Sequence, residues 1–569
     1  MSVATTPFLL GSQLPHRARA STWLLSAGGR NKDIRGALRL AIEREPRHLC
    51  LMCGAPGSAL AREAAPHTWI DSWIAPIPFR DGFLAVNSSL AFAVLLSRTF
   101  RGAKDAPATS LRDLLGGSFP QHTVLHDTAA AFWAKKTLVV LHGAATQAAA
   151  FDLESRFTEA ALGTVQLADY RNFGHGRHHW IAKHGESTAV LSLIGPGDAH
   201  LSRSTLRALP RKLVTLELVF DGGTCDVVVA SLVASMQLAA LAGIARGIDP
   251  GRPGVPAFGS KLYGLAPTRG PLAPRDARLA AIVRKAGASP LGLETTGKFY
   301  DYEKALSAFE RQLGDARFGG LVLDYDGTLR CGADRTAVPT GPAAKELARL
   351  ANAGLLVGIA TGRGDSATKP LRELFPKRLW PKVVVGYHNG ATVATLAETP
   401  PSSQAPMAPA LAAAKEALES LAETQPIRLR LHPRQLTVFA TSPWEEGEFW
   451  SCIANALVQA GLHALTVLRS SHSVDVLAPG VSKLRVVDAI SSRLNGTAVL
   501  CIGDRGRWPG NDHELLATPY SLSVDEVSQD PASGWNLAPP GVRGDAGLAW
   551  YLERLHRHRG TKSWRLVLK

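Results

Sequence analysis

The residues of this chain best suited to chemistry are two aspartates, Asp324 and Asp326, separated by one tyrosine. They end a short apolar run, 321–323, that predicts a buried strand, and a glycine and a threonine follow them. Two carboxylates aimed at one spot repel each other, so a bound cation or a phosphate chemistry would account for the pair. An Asx-rich turn between a strand and a helix is the alternative, and this motif alone does not decide between the two.

Three later motifs place further polar groups at the ends of predicted strands or at the start of a helix. They are Thr361 with Arg363 after the apolar run 355–360, Lys483 at the start of an amphipathic helix, and Asp504 with Asn511 and Asp512 after the apolar run 498–502. An open α/β sheet places its chemistry at the carboxyl ends of its strands. We therefore expect a hydroxyl, a lysine and two more acidic groups to meet the first aspartate pair.

These four motifs, in this order, resemble those of the haloacid-dehalogenase (HAD) superfamily of phosphatases, from about residue 317 to the end. The resemblance implies a Rossmann-like core in which Asp324 attacks phosphorus, while Asp326 protonates the leaving oxygen and later activates water. Thr361 and Lys483 would hold the phosphoryl oxygens. Arg363 would either join them or brace a loop.

The same resemblance implies a Mg²⁺ cofactor. Asp324, Asp504 and the backbone carbonyl of Asp326 would bind the ion, and Asp512 would support that shell. Hard oxygen ligands beside a phosphate favour Mg²⁺ over zinc. No Cys/His cluster in the sequence has zinc spacing.

The segment between Thr361 and Lys483 is too long for one connection, so an α+β unit is predicted to be inserted there. Its pattern predicts a helix (408–424), two strands (427–440), a helix (444–460) and two strands (465–478). This order is similar to the cap of the HAD subgroup that includes sucrose-, trehalose- and mannose-phosphate enzymes, which implies a phosphorylated sugar as substrate. Asn389 lies where such enzymes have an Asn-Gly turn that leads into the cap.

The amino-terminal half carries a different pattern. A short strand at 22–25 leads into a loop with Ser26, Gly28 and Asn31, and a second strand leads into a helix that starts after Ser58. A glycine-containing, hydroxyl-bearing loop at a helix amino terminus can bind phosphate, although an ordinary capped turn has the same residues. A further strand at 137–141 begins a second lobe.

These segments look like a two-lobed SIS (sugar isomerase) domain with flavodoxin-like parallel sheets, and resemble the isomerase half of glucosamine-6-phosphate synthase. The resemblance implies that Glu159 moves a proton between C1 and C2, that His175 assists ring opening and that Lys261 reaches the sugar. Gly28 and Asn31 depart from the serine and threonine usual in that family. The first strand and helix of the first lobe are expected to be missing.

Together, the patterns predict an α/β chain in six parts. They are lobe 1 (1–125), lobe 2 (126–265), a linker with helices (266–316), the first part of a HAD core (317–395), the cap (396–478) and the second part of the core (479–569). At 569 residues and 46% hydrophobic content, the chain is long enough for three or four compact units.

Net charge, cysteine content and the length of apolar stretches indicate which partners and which compartment fit the chain. The net charge of +15 invites nucleic acid as a partner, but no nucleic-acid-binding motif appears, and a positive field also attracts phosphorylated sugars. The six cysteines show no disulfide framework, which fits a reducing cytoplasm. Cys50 and Cys53 have CxxC spacing but are predicted to pack within a buried strand. No apolar stretch of membrane-spanning length is expected. The SIS resemblance implies a homodimer through that domain.

The functional prediction is a phosphosugar-binding or isomerising module fused to a Mg²⁺-dependent phosphatase that acts on a sugar phosphate. Two alternatives stay open. In the first, the SIS half only senses a phosphosugar and gates the phosphatase. In the second, the protein is a phosphomutase that uses the same aspartates but returns the phosphoryl group to a sugar.

Overall fold

The computed structural model describes residues 4–14, 21–77, 81–101, 125, 130–265, 277–331, 337–398, 406–442, 444, 447–470, 472–558 and 560–568. The strands in these ranges form four sheets. Two small parallel sheets lie in the amino-terminal half, an eight-stranded sheet forms the carboxyl-terminal half, and a four-stranded sheet is inserted into it. The chain is therefore a mixed α/β protein whose principal sheets are parallel.

Lobe 1 and lobe 2 each have a parallel sheet. Lobe 1 pairs β1 (Ser21–Ser26), β2 (His48–Cys53) and β3 (Asp71–Ile74) in sequence order. Lobe 2 contains β4 (Thr137–His142), β5 (Thr164–Asp169), β6 (Thr188–Ile194) and β7 (Val214–Val219) in the order β5-β4-β6-β7. The chain thus crosses over after β5, as doubly wound sheets do. The parallel sheets expected from the sequence are present, whereas the SIS assignment remains a prediction.

The helices of this half alternate with its strands. They are α1 (Pro7–Gln13), α2 (Lys32–Arg44), α3 (Ala59–Ala64), α4 (Asn87–Arg101), α5 (Ala130–Trp133), α6 (Gln147–Glu159), α7 (Tyr170–Asn172), α8 (His179–His184), α9 (Ala199–Ala208), α10 (Thr224–Arg246) and α11 (Ala257–Gly264). Although α4 precedes lobe 2 in sequence, it packs against α10, and Leu84 and Leu90 join the lobe 2 core.

Helix α10 is long and apolar enough, by length and composition alone, to cross a membrane. The expectation that no apolar stretch reaches that length is therefore wrong. Most of α10 is buried inside lobe 2, where Val227, Ala234 and Leu238 pack in the same core as α6. A buried core helix passes the same length and composition test, so α10 is weak evidence for a membrane span.

The carboxyl-terminal sheet is built around β8 (Phe318–Asp324), in which every residue is buried. Its side chains alternate between two hydrophobic clusters, with Leu321 and Leu323 in one and Val322 in the other. A strand covered on both faces reads as a continuous apolar run, which is why the sequence identified it.

The other strands of this sheet are β9 (Leu356–Ala360), β10 (Val383–Tyr387), β11 (Thr392–Thr395), β16 (Ala498–Arg505), β17 (Ser521–Glu526), β18 (Leu555–Arg557) and β19 (Trp564–Leu566). The order across the sheet is β11-β10-β9-β8-β16-β17. The strands β8, β9, β10, β16 and β17 are parallel, while β11 is antiparallel to β10. The basic end of the chain forms the β18–β19 hairpin, in which Trp564 of β19 pairs with Phe318 of β8.

The helices of this unit are α12 (Ala277–Ala286), α13 (Pro290–Thr295), α14 (Phe299–Asp315), α15 (Pro342–Asn352), α16 (Thr368–Leu374), α19 (Leu484–Ser491), α20 (His513–Leu516) and α21 (Gly544–Leu552). Ile282, Leu306, Phe309 and Leu313 pack in the same core as β8. The described part of the predicted linker, 277–316, is therefore integral to the carboxyl-terminal unit. Pro267, Pro271 and Pro274, in the first part of the predicted linker, lie outside the described residues, whereas Pro290 begins α13.

The inserted unit comprises the described residues from 406 to 478. It contains α17 (Pro409–Ala422), β12 (Ile427–His432), β13 (Gln435–Ala440), α18 (Glu448–Gln459), β14 (Thr466–Arg469) and β15 (Val474–Leu477). The strands form an antiparallel sheet in the order β12-β13-β15-β14, and the two helices pack against it. The order of helices and strands agrees with the sequence pattern.

Lobe 1 packs directly on the carboxyl-terminal unit. A buried ion pair joins Glu45, just after α2, to Arg284 of α12, and the Arg284 Nε donates to Glu45 Oε2 at 2.9 Å. Nearby, the Trp69 indole N–H donates to the carbonyl of Gly541 at 3.2 Å. Separating lobe 1 from the carboxyl-terminal unit would break this buried charge pair. Losing one partner of such a pair is strongly destabilising, so the contact holds lobe 1 against the carboxyl-terminal unit.

Candidate active site

Three neighbouring strands deliver carboxylates and a hydroxyl to one edge of the carboxyl-terminal sheet. Asp324 ends β8, Thr361 follows β9 and Asp504 lies near the end of β16. Since β9, β8 and β16 are adjacent and parallel, their carboxyl ends meet at this edge. Lys483, at the start of α19, reaches the same place. The sequence motifs converge as expected.

Lys483 forms the centre of the cluster. Its Nζ donates to Asp324 Oδ1 and to Asp512 Oδ1, both at 2.6 Å. Asp512 Oδ2 in turn accepts from the backbone N–H groups of Asp504 (3.0 Å) and Arg505 (3.1 Å). All of these side chains except Arg505 are buried. Asp512 is therefore the group that orders both the lysine and the loop after Asp504.

Three carboxylates stand close enough to share one cation. Asp324, Asp504 and Asp512 each offer an oxygen within 4.8 Å of the others. Asp324 Oδ2 and Asp504 Oδ1 are buried and accept no hydrogen bond from any described residue. A buried, unpaired carboxylate oxygen is costly, so these atoms indicate a ligand.

The charges of the cluster agree with this interpretation. Burial and the nearby charge of Asp512 raise the pKa of Asp324 to about 7, although Lys483 acts in the opposite direction. Burial and the charge of Asp324 likewise raise the pKa of Asp504 well above its usual range. Lys483 faces Asp324 and Asp512, Arg505 lies 3.7 Å from Asp504, and a divalent cation would offset the negative charge that remains. An all-oxygen donor set of this kind fits Mg²⁺.

The turn after β8 requires glycine at position 327 for two reasons. Its φ of +89° lies in the left-handed region, and a Cβ there would overlap Asp504 Oδ2. Glycine is the residue that accepts this conformation and leaves room for the carboxylate. The glycine of the first motif thus allows Asp504 to approach β8.

Asp326 lies apart from the three-carboxylate cluster. Its side chain forms a bidentate pair with Arg363, in which Nε donates to Oδ2 at 2.7 Å and Nη2 donates to Oδ1. The Arg363 guanidinium also lies over the Tyr325 ring, 4.9 Å from its centroid. Arg363 therefore fixes the orientation of the Asp326 carboxylate. Metal binding through the Asp326 backbone carbonyl stays a prediction.

Asn389 links the core to the inserted unit. It adopts a left-handed φ of 56° in the turn after β10, is fully buried, and its N–H donates to the carbonyl of Thr361 at 2.8 Å. Its side-chain amide donates to Gln435 Oε1 and Asp475 Oδ2, both at 3.1 Å. Gln435 also donates to the carbonyl of Gly362 at 3.3 Å. A polar network thus joins the turn to β13 and β15.

Sequence reasoning missed Gln435 and Asp475. Asp475 is a buried carboxylate within the otherwise apolar strand β15. A single acidic residue in a buried run needs partners, and that signal could have identified it.

The predicted phosphate-binding residues of lobe 1 meet at the carboxyl edge of its sheet. Ser26 ends β1 and accepts from the Gly29 N–H at 3.1 Å, while Ser58 caps α3 by accepting from Ala61 at 3.2 Å. A Cβ on Gly29 would overlap Ser58, so the two loops are in contact. The exposed Gly28 precedes this contact.

Asn31 lies beside these loops as the amino-terminal cap of α2, where its side chain accepts from the Asp33 N–H at 2.6 Å. The loops of Ser26 and Ser58 therefore come together, and Asn31 has the role of a helix cap.

The predicted isomerase residues of lobe 2 are not brought together. Glu159 is the last residue of α6, which runs back from the carboxyl edge of the sheet to its amino edge. His175 follows β5 at the carboxyl edge. The length of α6 separates them by roughly 20 Å. Lys261, on α11, is exposed, as are Glu159 and His175.

Comparisons with known proteins give limited matches. No family model matches the sequence, and no curated protein matches it significantly. Solved structures with similarity to about two fifths of the chain include phosphatases and a nucleotidase. The C-terminal domain of trehalose-6-phosphate phosphatase from C. albicans is 14% identical, with a TM-score of 0.33, covering 43% of this chain and 95% of its own.

Two further matches are of the same kind. A phosphatase of the haloalkanoate (HAD) enzyme superfamily from Bacteroides thetaiotaomicron is 19% identical, with a TM-score of 0.28, covering 38% of this chain and 88% of its own. An N-terminally truncated IMP-nucleotidase from Plasmodium falciparum is 12% identical, with a TM-score of 0.30, covering 41% and 71%. Identities and TM-scores this low do not indicate a function, so the function is inferred from the geometry of the site.

Proposed function

We propose that the carboxyl-terminal unit is a Mg²⁺-dependent phosphatase that hydrolyses a sugar phosphate through a phosphorylated aspartate. The observation that carries the proposal is the buried cluster of Asp324, Asp504 and Asp512 around Lys483, in which two carboxylate oxygens lack partners among the described residues. Mg²⁺ bound there would neutralise the carboxylates and polarise the phosphoryl group.

In the first half of the proposed reaction, each residue of the site has a distinct role. Asp324 attacks phosphorus through one carboxylate oxygen while the ester P–O bond breaks, and its other oxygen remains available to the cation. Lys483 and Thr361 hold phosphoryl oxygens. Asp326, once released from Arg363, carries a proton to the departing sugar oxygen.

The second half of the reaction restores the aspartate. Asp326, now ionised, takes a proton from water, and the resulting hydroxide attacks phosphorus and displaces Asp324. Phosphate leaves, and Asp326 keeps the proton for the next cycle. The inserted unit acts as the cap that excludes water while the sugar is bound, and the network of Asn389, Gln435 and Asp475 connects that cap to the core.

Phosphate release by the full-length protein tests the proposal. The wild-type protein with Mg²⁺ should release phosphate from at least one member of a sugar-phosphate panel, and Asp324→Asn should abolish the release. Asp488→Asn, at an exposed position of α19, is the matched control and should keep it. Release that persists in Asp324→Asn would rule out Asp324 as the nucleophile.

A phosphosugar-binding role for lobe 1 is the second candidate function. It is supported by the contact between the Ser26 and Ser58 loops at the carboxyl edge of the sheet and by the buried pair that joins lobe 1 to the phosphatase unit. The separation of Glu159 from His175 favours sensing over isomerisation within one chain. Deuterium exchange at C2 of the sugar, with Glu159→Gln as control, distinguishes them, and product analysis distinguishes a phosphomutase.

A further inference from the structure

The sheet of the inserted unit has one apolar face and one polar face. On β13, Leu436 and Val438 pack in a core with α17 and α18, so the alternating residues Gln435, Thr437 and Phe439 lie on the opposite face. Directly paired residues of an antiparallel sheet share a face. The strand pairing therefore adds residues of β12 and β15 to these three, namely Arg428, Arg430, His432 and Asp475. Together they form the polar face of the inserted sheet.

The polar face lies over the loop that follows β9 in the core. Gln435 donates to the carbonyl of Gly362 at 3.3 Å, and a Cβ on Gly362 would lie 3.3 Å from Asp475 Oδ2. Gly362 directly follows Thr361, which is proposed to hold a phosphoryl oxygen. A substrate whose phosphate lies at Thr361 therefore has its organic part next to the polar face.

A pair of stacked histidines holds the end of β12 on the core. The rings of His432 and His388 have a centroid distance of 3.6 Å, and the backbone N–H of His388 donates to the carbonyl of Arg363 at 2.8 Å. Burial and the charges of His432 and Arg430 lower the pKa of His388 to about 4. At neutral pH the His388 ring is therefore uncharged, so the stack carries no repulsion between two cations. This contact places β12 beside Arg363, which holds the Asp326 carboxylate.

Two arginines of the polar face continue along β12 from this contact. Arg430 and Arg428 lie two and four residues from His432, so their Cα atoms are roughly 7 and 13 Å from that of His432. The guanidinium groups of Arg430 and Arg428 lie over the Phe439 ring, 5.3 and 4.9 Å from its centroid. Stacking on a ring leaves the N–H groups of a guanidinium able to pair with a carboxylate or a phosphate. The Phe439 ring thus brings two anion-binding groups together.

A carboxylate of the same face is directed to other partners. Asp475 Oδ1 accepts from the Thr437 hydroxyl at 2.9 Å, and Asp475 Oδ2 accepts from the Asn389 amide at 3.1 Å. In the sheet order, Asp475 lies two strands away from Arg430, so their Cα atoms are roughly 10 Å apart. The two arginines therefore form a cationic part of the polar face on β12, apart from Asp475.

We propose that the polar face selects substrates with a second negatively charged group, which Arg430 and Arg428 bind while the phosphate to be cleaved lies at the aspartate cluster. The inference rests on the proposed phosphatase function, because it concerns recognition of the substrate of that site. A carboxylate or a second phosphate would pair with a guanidinium through charge-assisted hydrogen bonds, which are stronger than those of a sugar hydroxyl.

Calorimetric titration of the full-length Asp326→Asn protein with Mg²⁺ tests the inference, because this variant is expected to bind the cation and to turn over slowly. Fructose 1,6-bisphosphate is compared with fructose 6-phosphate, and 6-phosphogluconate with glucose 6-phosphate. In at least one pair, the compound with the second anionic group should bind about tenfold more tightly, the effect of one hydrogen bond between charged groups. The pair that shows the preference identifies the group as a phosphate or a carboxylate.

Adding Arg430→Gln to this protein should remove the preference. Arg430 is exposed, so its variant is expected to fold. Lys415→Gln is the matched control, because it removes one positive charge from α17, on the apolar side of the same sheet, and should keep the preference. Equal binding within both pairs, a preference that survives Arg430→Gln, or an equal loss in Lys415→Gln would each overturn the inference.

Phosphate release by the protein with Asp326 intact separates this inference from the proposed function. Release without a preference for the second anionic group refutes the role of the polar face alone. A preference that is lost in Arg430→Gln, with no release from any sugar phosphate of the panel, counts against the phosphatase alone.

Discussion

Replacing Asp324 by asparagine should stabilise the metal-free protein while it abolishes catalysis. The ordinary pKa of an aspartate is 3.8 and that of Asp324 is about 7. The folded state therefore binds the proton more tightly than the unfolded chain, and folding loses stability as pH rises from about 3.8 to about 7. At 1.36 kcal/mol for each pH unit, the ionised side chain costs about 4 kcal/mol at pH 8 and about 2 kcal/mol at pH 5.

Urea denaturation in EDTA at these two pH values measures the effect. Asp324→Asn should exceed the wild type in free energy of unfolding, by about 4 kcal/mol at pH 8 and by about 2 kcal/mol at pH 5. Asp488→Asn should show neither gain. With Mg²⁺ the order should change, because the cation stabilises the wild type and not the variant. A wild type that is the more stable protein in EDTA at pH 8 would refute the reasoning.

Three further predictions concern single contacts. Arg284→Met leaves Glu45 buried without its charge partner and should lower the free energy of unfolding by about 3–5 kcal/mol in urea denaturation. Gly327→Ala forces a Cβ against Asp504 in the left-handed region and should abolish the Mg²⁺-dependent rise in melting temperature. Asp326→Asn should slow phosphate release by about 10²–10⁴-fold. It should keep the Mg²⁺-dependent rise in melting temperature, because the Asp326 side chain is not in the cluster. Loss of that rise in melting temperature would contradict this.

The aspartate cluster was predictable because each of its groups follows a local pattern. Asp324, Thr361 and Asp504 each come at the end of an apolar run, and parallel strands bring such ends to one edge. Lys483 was recognisable as the start of an amphipathic helix. Local pattern and sheet topology agree here, so the sequence predicts the site as well as its elements.

The rest depends on contacts between residues far apart in the chain. The buried ion pair joins Glu45 of lobe 1 to Arg284 of α12, and no local pattern relates the two residues. The pairing of Glu159 with His175 rested on family resemblance, whereas the direction of α6 puts them at opposite edges. Docking of units and helix direction are tertiary properties that periodicity does not report.

The most direct test of the central claim is to locate the phosphoryl group during turnover. Full-length protein with Mg²⁺ and a hydrolysed sugar phosphate is quenched in acid and analysed by peptide mass spectrometry. The account predicts one phosphoryl group on Asp324, present with Mg²⁺ and absent in EDTA. Continued phosphate release with the phosphoryl group on another residue, or with no phosphoryl group on Asp324, would contradict the account.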